Sequence, residues 1–252
     1  MSILQYEKKD RIGYITLSRP ESLNAMSREL SRKLSEALLD LDADPDIWVG
    51  IITGAGDRSF CAGADLKDPD GLIDPDEWEA EYVRQLTSVK KPLIAAVNGY
   101  CLGAGFTLAL ACDIRIASEK ASFGTPDQKL NTVDCYASLA LSSFVPPAIA
   151  MEILFTGERI SAQEAYRVGL VNRVVPPVEL MPAADQMAGK ICENGPMAVR
   201  ACKELAKRGR TMTLDEGLCL FKAMAHTVLA SEDTREGITA FLEKRAPVWK
   251  CK

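Results

Sequence analysis

Two short runs without a charged residue, Trp48-Val49-Gly50-Ile51-Ile52-Thr53 and Leu93-Ile94-Ala95-Ala96-Val97, limit what this chain can fold into more than any other feature. Neither alternates apolar with polar residues, so neither suits a strand with one wet face. Each reads as a strand of a parallel sheet covered on both sides by helices. The helices are legible too. Ser27 stands as an N-cap before residues 28–42, where Leu30, Leu34, Ala37, Leu38 and Leu41 recur at helical spacing. Residues 11–18 alternate and are rich in β-branched side chains, and Arg19-Pro20-Glu21 ends that strand. Short strands are expected at 114–117 and 121–124, and helical stripes run over 182–191, 197–206 and 214–229. Ser161 and Glu164 have the spacing of a capping box, with Gly169 placed to close that helix. The acidic stretch 68–81, with Pro69 and Pro75, reads as a surface loop able to act as a lid, leading into a helix at 77–86. The expected fold class is α/β: a core of repeated strand–helix units over residues 1–185, then a C-terminal helical region over 186–252.

Composition removes several functions. A chain of 252 residues with 47% hydrophobic content can bury a full core without staples. Its formal net charge of -5 argues against a nucleic acid partner, which requires clustered Lys and Arg. The eight cysteines form no CxxC pair and several lie in apolar runs, so they read as reduced, packed thiols of a cytoplasmic protein. With His226 as the single histidine, no metal site is expected, and His226 itself reads as a structural or interface residue. The start lacks a basic stretch followed by an apolar run, and no segment approaches eighteen apolar residues, so neither export nor a membrane is expected.

Two loops carry the chemistry. In Ser59-Phe60-Cys61-Ala62-Gly63-Ala64-Asp65-Leu66 only small side chains occupy 61–64, so the backbone can touch a ligand and its amides can donate to a polarised carbonyl. Asn98-Gly99-Tyr100-Cys101-Leu102-Gly103-Ala104-Gly105 again runs from a strand through a small-residue turn into a helix, whose first amides are unpaired. One such turn is as often tight packing as ligand contact. A pair of them is what stabilising an oxyanion requires.

With Arg19-Pro20, Leu23-Asn24-Ala25, Ala111-Cys112-Asp113-Ile114, Phe123-Gly124 and Gly169-Leu170-Val171 added, the sequence resembles the crotonase (enoyl-CoA hydratase/isomerase) superfamily over nearly its whole length. The resemblance implies a crotonase-like spiral of ββα repeats, a C-terminal helical trimerisation region, a homotrimer or dimer of trimers, and an acyl-CoA substrate without a further cofactor. It implies oxyanion donors at the amides of Ala64 and Ala104, and contacts to CoA from Leu23, Ala25, Ala62, Asp65 and Leu66, with Lys244 as a candidate for the phosphates.

The sequence departs from the family where a hydratase has two glutamates: Thr107 stands at the first position and Asp127 at the second. Threonine cannot act as a carboxylate, and aspartate is one methylene shorter. Asp134, within 129–136, is similar to an aspartate of dihydroxynaphthoyl-CoA synthases and 2-ketocyclohexanecarboxyl-CoA hydrolases, which work on carbon–carbon bonds beside a thioester. Asp127 and Asp134 are the candidate proton shuttles, Thr107 a candidate to orient a substrate hydroxyl, and Cys135 and Tyr136 candidates to line the acyl pocket. Each has a plainer reading: a turn residue for Asp127, an N-cap for Asp134, a hydroxyl bonded to its own helix for Thr107, and packing for Cys135 and Tyr136. The expected function is an enzyme that forms a thioester enolate, for hydration or isomerisation of an unusual or cyclic enoyl-CoA. Carbon–carbon bond cleavage, synthesis or decarboxylation beside the thioester is the alternative, followed by a non-catalytic acyl-CoA binding protein and by a structural subunit paired with an active relative.

Overall fold

The computed structural model describes residues 2–68 and 80–252. Strand β1 (Leu4–Lys9) and β2 (Ile12–Leu17) form a hairpin, and helix α1 (Arg28–Ala43) follows. The chain then repeats a strand–strand–helix unit: β3 (Val49–Gly54), β4 (Ser59–Cys61) and α2 (Ala80–Ser88); β5 (Leu93–Val97), β6 (Tyr100–Leu102) and α3 (Ala104–Ala111); β7 (Ile114–Ser118), β8 (Ser122–Gly124) and the short helices α4 (Cys135–Ala140) and α5 (Pro147–Thr156). After β9 (Ile160–Ser161), α6 (Ala162–Arg167) and β10 (Arg173–Val175), four helices close the chain: α7 (Leu180–Cys192), α8 (Pro196–Arg208), α9 (Leu214–Leu229) and α10 (Glu232–Glu243). The first strand of each unit enters a six-stranded sheet, β1-β2-β3-β5-β7-β10, and the second a four-stranded sheet, β4-β6-β8-β9. Pairing is parallel except for β1 with β2 and β8 with β9.

The buried runs sort as their period requires. Ile52, Leu93, Ala95 and Val97 join the main core beneath α1 and α3. Their neighbours Val49, Ile51, Ile94 and Ala96 face the other way and meet Leu180, Ala184 and Ala188 of α7. The expected division after residue 185 therefore falls inside a helix that covers the sheet. In α1, Leu30, Leu34, Leu38 and Leu41 are buried as their spacing predicts, and Ser27 Oγ accepts from the Leu30 amide at 3.2 Å.

Several local readings change. β1 was missed because five of its six residues are not buried and its turn, Asp10-Arg11, takes φ of 49° and 69° without an Asn-Gly signal. No strand is expected at 173–175, where β10 forms a three-residue edge strand beside β7. Ser161 caps α6 through the Glu164 amide at 3.1 Å, but the Glu164 carboxylate turns to Arg167 instead of completing the box, because the bidentate guanidinium pairing competes for it. Gly169 does follow the end of α6 in the left-handed region, at φ 81°. The helix expected at 77–86 is seen as α2, whereas the loop and lid expected just before it fall largely on 69–79, outside the described residues.

Among the described residues no helix is long and apolar enough to cross a membrane. All eight cysteines are free, and burial pushes the Cys61 thiol up to about 11 and Cys112 up to about 12, which makes them poor nucleophiles at neutral pH. Leu34 has no exposed surface and joins the main core, so Leu34→Ala is expected to cost about 2–5 kcal/mol in urea unfolding with an unchanged m-value.

Candidate active site

The first small-residue loop leaves β4 and runs beside residues 23–26. Ala62 N donates to Leu23 O at 3.1 Å, Met26 N to Gly63 O at 2.8 Å and Asp65 N to Met26 O at 2.9 Å. This parallel bridge of Met26 with Ala64 leaves the Ala64 N–H directed to the opposite side of the strand. The second loop turns at Gly103, φ 48° and ψ -121°, and makes Ala104 the first residue of α3. A helix's first amide has no partner within the helix. Neither the Ala64 nor the Ala104 amide has an acceptor among the described residues.

The loops touch. A methyl group placed on Gly103 would stand 3.5 Å from Gly63 Cα and 3.2 and 3.3 Å from the two carboxylate oxygens of Asp127. The family-like proline turn thus delivers Asp127 to the residue immediately before the candidate donor. Pro126–Leu130 forms a single 3-10 turn after β8, and the Asp127 carbonyl accepts from Thr132 N and Thr132 Oγ1, both at 3.0 Å. The carboxylate is left over: Oδ2 is buried and has no hydrogen-bond partner among the described residues. Burial accordingly raises the Asp127 pKa above the ordinary carboxylate range.

Asp134 is held differently. It caps α4, and its Oδ1 accepts from Ala137 N and from Thr107 Oγ1, each at 2.7 Å. Thr107 and Asp134 are 1% and 2% exposed. The capping reading of Asp134 is therefore realised, and Thr107 bonds this carboxylate from one turn into α3, in place of its own backbone. Tyr136 does not lie with the loops: it lines a cavity at the far end of α3 beside Leu110 and Ala111. Cys135 follows the cap as the half-buried first residue of α4, and His226 is exposed on α9. Lys244 is exposed at the end of α10, and no described contact ties it to either loop.

The structure brings Leu23, Ala25, Ala62, Asp65 and Leu66 together along the bridge between residues 23–26 and 62–65. Leu66 presents 58% of its surface, while Asp65 turns inward: Arg19 Nη2 pairs with its carboxylate at 2.7 Å and Lys67 N donates to it at 3.1 Å. Burial pushes the Asp65 pKa up, but the Arg19 guanidinium more than reverses this and holds it below the usual range. Its side chain therefore braces the loop. Arg19 also donates to Ala25 O at 2.7 Å, and buried Asn24 donates to Ala55 O at 3.0 Å and Ser59 O at 2.8 Å. Arg19 and Asn24 were legible as parts of a motif, but their bracing role depends on contacts 31 to 46 residues away. No group of three His, Cys, Asp or Glu among the described residues could hold a metal ion.

Residues 7–252 match the enoyl-CoA hydratase/isomerase family. Similar proteins include the probable mitochondrial enoyl-CoA hydratase of Dictyostelium discoideum, 42% identical over 98% of this chain and 90% of the relative. The (E)-benzylidenesuccinyl-CoA hydratase of Thauera aromatica is 40% identical over 97% of each, and the carnitinyl-CoA dehydratase of Salmonella typhi 43% over 94% of each. The crystal structure of an enoyl-CoA hydratase from Bacillus anthracis superposes with a TM-score of 0.95 at 36% identity, covering both chains completely. These matches, over a mixed α/β spiral ending in helices, establish that the chain has the crotonase fold and is an enzyme of the enoyl-CoA hydratase/isomerase family.

Proposed function

We propose that this enzyme binds an acyl-CoA, receives its thioester oxygen on the amides of Ala64 and Ala104, and uses Asp127 to move a proton in the reversible hydration of an enoyl-CoA. The observation that carries the reading is the buried, unpartnered Asp127 oxygen beside Gly103, next to an amide that also lacks an acceptor. An orphaned buried carboxylate is costly, and such groups persist at sites of chemistry.

The steps balance with one carboxylate. Two amides stabilise the negative charge that builds on the thioester oxygen as water adds at the β-carbon. Ionised Asp127 takes a proton from that water and returns one to the α-carbon as the enolate collapses. Its raised pKa suits both halves, because an ordinary carboxylate is a weaker base. Thr107 and Asp134 position α3 against α4, since the Asp134 Oδ1 is already engaged twice and almost no solvent reaches either residue. Hydration is favoured over isomerisation by the hydratases and dehydratase among the relatives, and those named for benzylidenesuccinyl-CoA and carnitinyl-CoA make a substituted acyl group the first to test. The C-terminal helices suit assembly into a trimer: α9 buries none of its residues, and Leu214, Leu218, Phe221, Phe241 and Leu242 are exposed.

Asp127→Asn is expected to lower kcat/KM for enoyl-CoA hydration by about 10²–10⁴ and to abolish deuterium exchange at the α-carbon. Asp134→Asn preserves the cap and an acceptor for Thr107, so it should keep activity within about ten-fold. Equal losses in both variants, or exchange that survives in Asp127→Asn, would overturn the assignment. In the wild type the acid limb of kcat/KM should lie above the ordinary carboxylate range.

The same residue links stability to pH. A carboxyl whose folded pKa is raised contributes stability that is present below its unfolded pKa and lost as pH rises through the folded value. Asp127→Asn should therefore raise Tm at pH 8 relative to wild type, by about 2–4 °C if ~1 kcal/mol is recovered, and the gain should shrink toward pH 4. For the assembly, Phe241→Asp should reduce the mass measured by light scattering toward that of one chain, whereas a single-chain mass for the wild type would remove the trimer.

A further inference from the structure

Helix α3 starts at the candidate oxyanion amide and ends against a second feature. Its last residues, Leu110 and Ala111, open onto a cavity of about 860 Å³. That volume lies within the ~300–1,000 Å³ of small-molecule sites. Ala104 and Ala111 are about 10 Å apart along the helix at 1.5 Å per residue, and the buried Thr107–Asp134 bond lies between the two ends. Aromatic and aliphatic side chains, Tyr136, Phe144 and Leu110, supply the apolar part of the lining.

The charged part is unbalanced. Among the described lining residues Lys203, Lys207, Arg208 and Arg210 face a single carboxylate, Asp113. That carboxylate is already used: its Oδ2 accepts from Lys203 Nζ at 2.6 Å and from Leu93 N at 2.8 Å. Arg208 pairs with Glu204 at 3.2 Å. Lys207 Nζ forms an ion pair with Asp113 Oδ1 at 3.6 Å, too long for a hydrogen bond, and the buried nitrogen has no hydrogen-bond partner among the described residues. Arg210 donates to Ser143 O at 3.2 Å and its guanidinium lies 5.4 Å from the Phe144 ring centre. The carbonyls at the negative end of α3 do not offset this excess, because Arg115 Nη1 takes Ala109 O at 3.2 Å and Cys112 O at 2.7 Å.

A buried ammonium without an acceptor is unfavourable, and a carboxylate relieves it better than a neutral group. The aromatic lining beside it asks for an apolar body on the same ligand. We propose that this cavity is a binding site for an amphipathic monocarboxylate, whose acyl chain or aryl group lies on Leu110, Tyr136 and Phe144 and whose carboxylate accepts from Lys207 and pairs with Arg210. The site is separate from the loops that hold the thioester, so its occupant needs no CoA.

The test is calorimetric titration of the full chain with octanoate, with 1-octanol and inorganic phosphate as comparison probes. One saturable octanoate site per chain is expected, with octanol and phosphate at least ten-fold weaker. Lys207→Gln leaves the Lys203–Asp113 pair in place and should weaken octanoate at least ten-fold, as should Arg210→Gln, while Lys120→Gln on a distant turn should leave it unchanged. Thermal melting within a few degrees of wild type confirms that the variants fold. Absence of saturable binding, equal affinity for octanol and octanoate, or unchanged affinity in both variants would overturn the proposal. So would displacement of octanoate by saturating free CoA or crotonyl-CoA, which would place the fatty acid in the acyl pocket instead.

Discussion

The fit of α3 against the end of β4 is the constraint on which the rest of the structure depends. A methyl group on Gly105 would collide with the Cys61 carbonyl, and one on Gly103 would press on both Asp127 oxygens. Two glycines therefore let the start of a helix come into contact with a strand end and the loop that follows it. The two sheets serve that approach. Each ββα unit sends one strand to each sheet, so the turn out of β4 and the turn out of β6 are stacked as neighbours by the parallel pairing of Ser59 with Tyr100 and Cys61 with Cys101. Asn98 locks the stack by donating to Gly54, Gly56 and Ser59 carbonyls at 2.8–3.1 Å.

What the sequence disclosed follows from the range of each interaction. The covered strands, the α1 stripe with its Ser27 cap and the two glycine loops were legible because apolar period and small-residue runs are local signals. The two-sided burial of 93–97 was implied by having no polar face, and it is what the structure shows. Edge strands were not legible: β1 and β10 gain their pairing from a neighbour and carry little burial pattern of their own. Likewise nothing local distinguishes the Asp65 carboxylate, bound inward by Arg19 across 46 residues, from one offered to a ligand. The difference between Asp127 and Asp134 was equally hidden, because both stand beside a turn and only the fold decides which one finds donors.

That difference is the most informative feature of the site. Thr107 is a polar residue inside a helix whose residues from Gly105 to Ala111 are all buried, so its hydroxyl requires an acceptor there. Asp134 supplies one and in turn gains a second donor from the Ala137 amide, so this carboxylate is satisfied by the same contacts that join α3 to α4. Asp127 has neither. Its segment spends its backbone on the 3-10 turn, and its side chain is directed to a glycine that offers it no N–H, because Gly103 N donates to Gly124 O at 3.1 Å.

Two carboxylates seven residues apart thus differ in their surroundings for a physical reason. The one supplied with hydrogen bonds joins α3 to α4. The one left with a buried, unpartnered oxygen costs stability when ionised, and burial raises its affinity for a proton more than its own backbone amide lowers it. A second carboxylate at Thr107 would share the enclosed space with Asp134 and would meet like charge there, so placing threonine in α3 is compatible with the aspartate cap of α4 in a way that glutamate is not. Thr107 and Asp134 are in this sense one arrangement in two places, and they leave Asp127 as the carboxylate whose buried Oδ2 keeps no hydrogen-bond partner among the described residues.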